Sequence, residues 1–519
     1  MSYQNVAYGG NSRPEYVRNP HENFVIPEAR VARIRQCIDM LVSIKLLDEQ
    51  SEMTNYRLEP EVTRQPGDLV VGDAGQRGRD KLLLGTLAEA GARRRLWLDI
   101  TGEQVVGIFG KRGTGKSYSL GLLLEGLASG AGSTRLAELA TPRGALVLDI
   151  MDIFWTSTIP LINDGSAEVR KQFAIMDKAG FQSRALSVDL WIPAGFQNPA
   201  IDPPGVRQLY IAAHELELDD WASLFEVDVF AEPRGMLIAD MLNYVSRDGY
   251  TDVRNGNRIA PDQQFTFADL SAFLENCSEI QGVYQDTTVR SIRQRVGTYG
   301  AQALFSGTNT PLTDVIGSFR VSILMLARLP DPLKNVVVST LLRRLMRERR
   351  DASFAQKRLD LAGDLTKEES TRLAEIISTS VPRTWVMMDE AHNLAGTGPN
   401  GMARDTFVKY AKEGRNYGLS LAVATQQPSA LDPRLTSQIE TLIVHQLTSP
   451  KDAAVARENI RSPLPSATNV DSQPVSVDDL LRRLDQGTTT FSCANAPALN
   501  RLCVVSMRPR TTAHGGYEA

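Results

Sequence analysis

Three short stretches carry residue types that could do chemistry together. Gly110, Lys111, Arg112, Gly113, Thr114, Gly115, Lys116 and Ser117 form a Gly-rich loop followed by Tyr118. Glycines let consecutive backbone N–H groups turn inward as an anion nest. The lysine can then reach the β- and γ-phosphates of a nucleoside triphosphate, and the serine can offer its hydroxyl to Mg²⁺. The second stretch, Arg383–His392, is an apolar run ending in Asp389 and Glu390. An aspartate there can hold Mg²⁺ through water opposite Ser117, and a glutamate can polarise the attacking water as general base. The third, Gly418–Pro428, ends in Thr425 and Gln426, whose amide could touch a γ-phosphate. Arg415 stands just before it, where an arginine could enter a neighbouring copy's site. Taken singly these signals are weak: an acid pair also caps helices, and Arg415 could equally be a surface arginine. Together with the Gly-rich loop they imply binding and hydrolysis of ATP with Mg²⁺.

Those residues need a sheet to hold them. Val105–Phe109 reads as a short buried strand leading into the loop, and Tyr118–Gly126 as the helix leading out. Further apolar runs recur at Ala145–Ile150, Ala185–Leu190, Val321–Ala327, Thr384–Met388, Leu419–Ala424 and Thr441–Leu447, separated by helical patterns. That alternation, with the Gly-rich loop, predicts an α/β P-loop NTPase fold with a mostly parallel central sheet. Helices are expected at Ile211–Leu224, Pro233–Val245, Phe267–Cys277, Asp286–Tyr299, Val336–Arg350 and Lys367–Ile377. The expected divisions are a flexible arm over 1–24, a small helix/β region over 25–95 and a first core part over 96–200. A helical insertion over 201–380 follows, with one core strand near 321–327, then a second core part over 381–510 and a polar tail over 511–519. Within 25–95, apolar spacing at Val31, Ile34, Ile38, Leu41 and Ile44 predicts a helix from Pro27 to Leu47.

Composition narrows the class. With 519 residues, 42% hydrophobic, 23% charged and a net charge of −4, the chain is ordinary for a globular protein and is not a polycation. Any nucleic acid must meet a local basic surface, for which Arg343, Arg344, Arg347, Arg349 and Arg350 are one candidate and a solvated helix face the alternative. Cys37, Cys277, Cys493 and Cys503 lack CxxC spacing, and the five histidines lack metal-ligand spacing. No signal-peptide-like or membrane-length apolar run occurs. The expectation is a cytoplasmic protein without membrane contact.

The segments VVGIFGKRGTGKSYSLG, WVMMDEAHNL, GRNYGLSLAVATQQPS and the terminal MRPRTTAHGG together resemble the HerA branch of the HerA/FtsK translocases, over roughly residues 96–515. The resemblance implies a RecA-like fold in a homohexameric ring that threads double-stranded DNA while hydrolysing ATP at subunit seams. It also implies a separate effector protein, such as a nuclease or a NADase, in DNA repair or antiphage defence. By it, Lys116 and Ser117 serve nucleotide and Mg²⁺, Asp389 the metal, Glu390 the water, Gln426 the sensing of the γ-phosphate, and Arg415 the neighbouring site. Asp149 matches the acid ending the strand after the loop, in an altered context (Asp149-Ile-Met-Asp152). The usual N-terminal barrel is not evident, and 274 residues separate Lys116 from Glu390, which implies a specialised helical insertion. The spelling Asp-Glu-Ala-His at 389–392 suggests an RNA helicase, but no second RecA-like motif set follows. A ring that binds ATP only to scaffold an effector would show the same motifs.

Overall fold

The structure, a computed structural model, describes residues 16–18, 25–27, 54–62, 67–72, 79–89, 94–306, 309–398, 403–494, 496 and 499–516. The chain divides into Met1–Asn55 and Tyr56–Ala519. In the first unit Tyr16–Arg18 pairs antiparallel with Val25–Pro27. Pro27 therefore ends a strand, and the remainder of the helix expected over 27–47 lies outside the described residues, as does Cys37.

The second unit is built on one large sheet. Its main strands are β1 (Leu69–Val71), β2 (Lys81–Leu87), β3 (Arg95–Asp99), β4 (Val105–Phe109), β5 (Arg143–Asp149), β6 (Asp189–Pro193), β7 (Arg207–Leu209), β8 (Val321–Met325), β9 (Arg383–Met388), β10 (Leu419–Thr425), β11 (Thr441–Val444), β12 (Thr488–Cys493) and β13 (Cys503–Met507). They lie in the order β7-β6-β8-β5-β9-β10-β4-β11-β12-β13-β2-β3-β1. From β7 to β11 every neighbouring pair is parallel. From β11 to β3 the pairs are antiparallel. The strands β1, β2 and β3 thus extend the same sheet that carries the Gly-rich loop, whereas Tyr56–Glu59 pairs with Ala467–Val470 in a separate small sheet.

Parallel strands read as unbroken apolar runs because helices cover both faces. In β4, Val106 and Ile108 pack with Leu120, Leu123 and Leu124 of helix α1 (Lys116–Leu127), while Val105 and Phe109 join the opposite core. Later helices are α2 (Ala167–Lys178), α3 (Leu218–Phe225), α4 (Pro233–Asn243), α5 (Phe267–Asn276), α6 (Asp286–Gly300), α7 (Asp331–Leu361), α8 (Lys367–Thr379) and α9 (Arg404–Glu413). The helices α3 to α6 form a lobe between β7 and β8, knit by Trp221, Phe225, Phe267 and Phe305. The helix expected over 211–224 is confined to Leu218–Phe225, where Glu217 and Asp220 close a capping box. Conversely α7 runs well past Arg350, to Leu361, because α8 packs along it. Among the described residues no helix is long and apolar enough to cross a membrane.

One feature of the order positions the site. β10 lies between β4, which feeds the Gly-rich loop, and β9, which ends at Asp389. All three strands deliver their carboxyl ends to one side, where ligands of open parallel sheets collect.

Candidate active site

The loop after β4 has the backbone its sequence demands. Gly113 and Gly115 adopt φ of 76° and 108°, left-handed conformations that glycine enters without strain. Gly115 caps α1 with no side chain blocking the helix N–H groups. Those unpaired donors, with the helix dipole, favour an anion. The loop is tied at its base by Gly110 N–H to the Thr425 carbonyl (3.3 Å) and Lys111 N–H to the Gln446 carbonyl (2.9 Å). Lys116 folds against its own loop, donating to the Lys111 carbonyl at 3.1 Å.

Asp389 and Glu390 come to the same place. Asp389 is 2% exposed and Lys116 4%. Burial pushes the Asp389 carboxyl up, against the pull of a Ser117 hydroxyl hydrogen bond, with Glu390 reinforcing the rise. Burial likewise pushes Lys116 down, against the opposing pull of Glu390 and Asp389. Each buried charge here is therefore short of compensation.

Glu390 sits at φ 47°, a conformation that costs a non-glycine residue roughly 1–2 kcal/mol. It is held there by Glu390 N–H to its neighbour Asp389 Oδ1 (2.8 Å) and Ala391 N–H to the Ala424 carbonyl (2.9 Å). Such strain marks positions where geometry matters more than local stability. One Glu390 oxygen accepts from the Gln426 side-chain amide. The other is buried without a hydrogen bond, 3.4 Å from His392 Nδ1, which itself meets Thr425 Oγ1 at 3.1 Å. Burial lowers the His392 pKa, so the ring is neutral at pH 7. A carboxylate with an unused lone pair, close enough to Lys116 to act on its charge, can accept a proton from water attacking a bound phosphate.

The oxygen set of Ser117 and Asp389 suits Mg²⁺, which takes few protein ligands and completes its shell with water and phosphate. Among the described residues no cluster of three or more His, Cys, Asp or Glu could cage a metal.

No family model matches the chain. It is 23% identical over 389 residues to the DNA double-strand break repair helicase HerA of Pyrococcus furiosus, a match covering 72% of this chain and 62% of that protein. A protein of the same description from Sulfurisphaera tokodaii is 20% identical over 239 residues, covering 45% of this chain and 43% of its own length. These matches make the chain similar to HerA-type ATPases over most of its length. It spans 62% or less of the length of these curated relatives. Among solved structures it is similar to VirB4 of Thermoanaerobacter pseudethanolicus, with a TM-score of 0.46 and 16% identity over 85% of this chain and 98% of that one.

Three further candidate groups do not join this constellation. Arg415 stands at the amino end of β10, opposite the phosphate side and about 20 Å from Gln426 at roughly 3.3 Å per residue. It is ion-paired with Glu440. Asp149 ends β5 beside Asp389, but its carboxylate accepts the N–H groups of Met151 (3.4 Å), Ile153 (3.1 Å) and Phe154 (2.7 Å), so it caps the following turn. Burial pushes it up to about 7. Four of the five α7 arginines are engaged within the chain, while the exposed Arg350 lies 3.5 Å from its exposed neighbour Asp351. Arg343 pairs with Glu217 and Asp220, Arg347 with Glu215, Arg344 donates to the Thr310 carbonyl, and Arg349 to those of Tyr417 and Val381.

Two histidines were not legible as site residues. His392 follows Glu390 by two positions, the only available hint. His445, at the end of β11, is 1% exposed beneath the loop, with Nε2 2.9 Å from Ser119 Oγ. A Cβ on Gly110 would lie 2.6 Å from its Cβ, and one on Gly115 3.2 Å from its Cε1. Burial, with the Lys116 charge, pushes His445 down to about 3, so it is a neutral wedge under the loop. Its strand neighbour to β4 could be found only from the sheet order.

Proposed function

We propose that the chain is an ATP- and Mg²⁺-dependent motor that assembles as a ring of identical copies, six by its resemblance, and moves along double-stranded DNA. The observation that carries this is the Glu390 carboxylate, fixed in a left-handed conformation and gripped by Gln426 beside Lys116 and Ser117. The backbone N–H groups of Gly113 to Ser117 and the Lys116 ammonium hold the phosphates. Ser117 and Asp389 would hold Mg²⁺, which when bound neutralises phosphate charge. Glu390 takes the proton of the attacking water, and Gln426 bridges that base to the γ-phosphate.

Arg415 serves a neighbour's site, because its position at the far end of β10 denies it its own. That separation supports reading hydrolysis as an event at a seam between copies. The names of the relatives support DNA as the substrate, and the helical lobe between β7 and β8 gives a separate effector, a nuclease or a NADase, a surface to dock on in the cytoplasm.

Mixing tests the seam. Lys116→Ala and Arg415→Ala proteins should each be inactive alone. Mixed in equal amounts they should recover part of the wild-type turnover, since some seams pair an intact loop with an intact arginine. Failure of any mixture to exceed the single variants, with both proteins assembled, would remove Arg415 from the chemistry.

A further inference from the structure

Helix α6 carries a face that the fold does not use. Ile292 and Val296 are fully buried, and Val289 and Tyr299 pack on the same side. Opposite them Arg290, Arg293, Gln294, Gly297 and Thr298 are all exposed, at the three- and four-residue spacing of one helical stripe. Arg290 makes no ion pair or hydrogen bond among the described residues. Arg293 reaches only Glu275, at 4.0 Å with both side chains half exposed, a pairing of little strength. The acid on this helix, Asp286, sits in its first turn, where the helix dipole accommodates it.

Gly297 is the unexpected member. A glycine inside a helix destabilises it relative to alanine. Gly300, three residues on, has a reason: a Cβ there would lie 2.9 Å from Phe267 Cβ. A Cβ on Gly297 would meet nothing within 4 Å. Neither packing nor a left-handed φ requires glycine at this position. What a missing side chain on a solvent face provides is close approach of something from outside. Flanked by arginines and short hydrogen-bonding side chains, the notch suits an anionic backbone.

We infer that the α6 face formed by Arg290, Arg293, Gln294, Gly297 and Thr298 is a contact surface for the phosphodiester backbone of double-stranded DNA. It rests on the motor reading above for the class of polymer, and on α6 alone for the place. The contrast with α7 supports the choice: there four of five arginines are engaged by acids and carbonyls, whereas here Arg290 has no partner among the described residues and Arg293 only a distant one. A helix face that offers arginines and a notch grips phosphates without reading bases, as sequence-independent movement requires.

The test measures binding of the full chain to a labelled random-sequence duplex by fluorescence anisotropy across a salt series. Wild type, Arg290→Glu/Arg293→Glu, Gly297→Ala and a control, Arg350→Glu on α7, are compared, with basal ATP turnover and oligomeric state recorded for each. The double reversal should weaken binding at least about 30-fold at moderate salt and lower the slope of log affinity against log salt by about 2, one for each lost phosphate contact. Gly297→Ala should raise the melting temperature yet weaken binding several-fold, which a structural role cannot produce. Arg350→Glu should leave affinity within about twofold. Wild-type binding that survives both α6 changes overturns the assignment and leaves the motor reading intact. Absence of duplex binding by wild type overturns both. Loss of binding together with loss of assembly makes α6 a protein interface and overturns the assignment.

Discussion

At the start of α1, Lys116 and Asp389 are buried with both charges pushed toward their neutral forms. Nine residues along the same helix, Glu125 is wholly buried yet pushed the other way: burial alone would raise it, but Arg508 and Arg510 outweigh that and hold it low. Its Oε2 accepts from Arg508 at 2.6 Å, and its Oε1 from the N–H groups of Thr511 (2.9 Å) and Thr512 (3.1 Å) and the Thr512 hydroxyl (2.8 Å). The difference separates two uses of buried charge. Around Glu125 every lone pair is answered from within the chain, and the result fastens residues 508–512 to α1. Around Lys116 the chain withholds the answer, and a polyphosphate supplies it.

The comparison can be broken most severely at Glu390. Glu390→Gln should cut ATP turnover by at least about 100-fold, the usual scale for a lost general base, while equilibrium nucleotide binding persists. Unchanged turnover would sever the strained carboxylate from catalysis. Next comes Glu125→Ala, which strands two buried arginines and should destabilise the chain by roughly 3–5 kcal/mol in denaturant unfolding. Lys116→Met should do the reverse, leaving stability equal or higher without nucleotide and abolishing binding. If Lys116→Met unfolds the chain as readily as Glu125→Ala, the two regions are not different in kind.

Acid sharpens the same contrast. Glu125, low in the folded chain and ordinarily 4.5, stabilises above pH 4.5 and loses that contribution as pH falls through its folded value. Asp149, raised from 3.8 to about 7, retains its proton in the folded chain where the unfolded one has released it. Its contribution therefore declines as pH rises from about 4 to about 7 and is level above. Unfolding of Asp149→Asn against wild type from pH 4 to 7, and of Glu125→Gln against wild type below pH 4.5, should show differences of opposite slope. The smallest effect is expected at His445. Gln can place a polar atom where Nε2 meets Ser119, so His445→Gln should hold nucleotide affinity within a fewfold, whereas His445→Leu should lose about tenfold, roughly 1.4 kcal/mol. Equal affinities for the two would show that only the volume of the wedge counts.

The nucleotide loop, the acid pair and the strand between them were readable because each is a contiguous apolar run ending in polar residues, and a parallel sheet preserves that signature. Long-range charge pairing was not. Arg343 and Arg347 looked like a basic patch because their acids, Glu215, Glu217 and Asp220, lie more than 120 residues earlier. Asp149 matched the strand-ending acid of the resembled family in an altered context, and a carboxylate capping its own turn differs from a free one only in three dimensions. The tail beyond Arg510 read as a polar stub, yet Thr511 and Thr512 are buried by donating to Glu125. Polarity was visible in the letters; its partner was not.

β10 joins the Glu390–Gln426 pair at one end to Arg415 at the other through seven residues, all buried. In a closed circle of copies such a rod would work like a tappet. A shift along its length as one phosphate departs would reach the adjacent cleft through the short turn Gly414–Tyr417 and the left-handed Gly418 that precede the strand, so the firing order of the circle would pass through one strand and one turn.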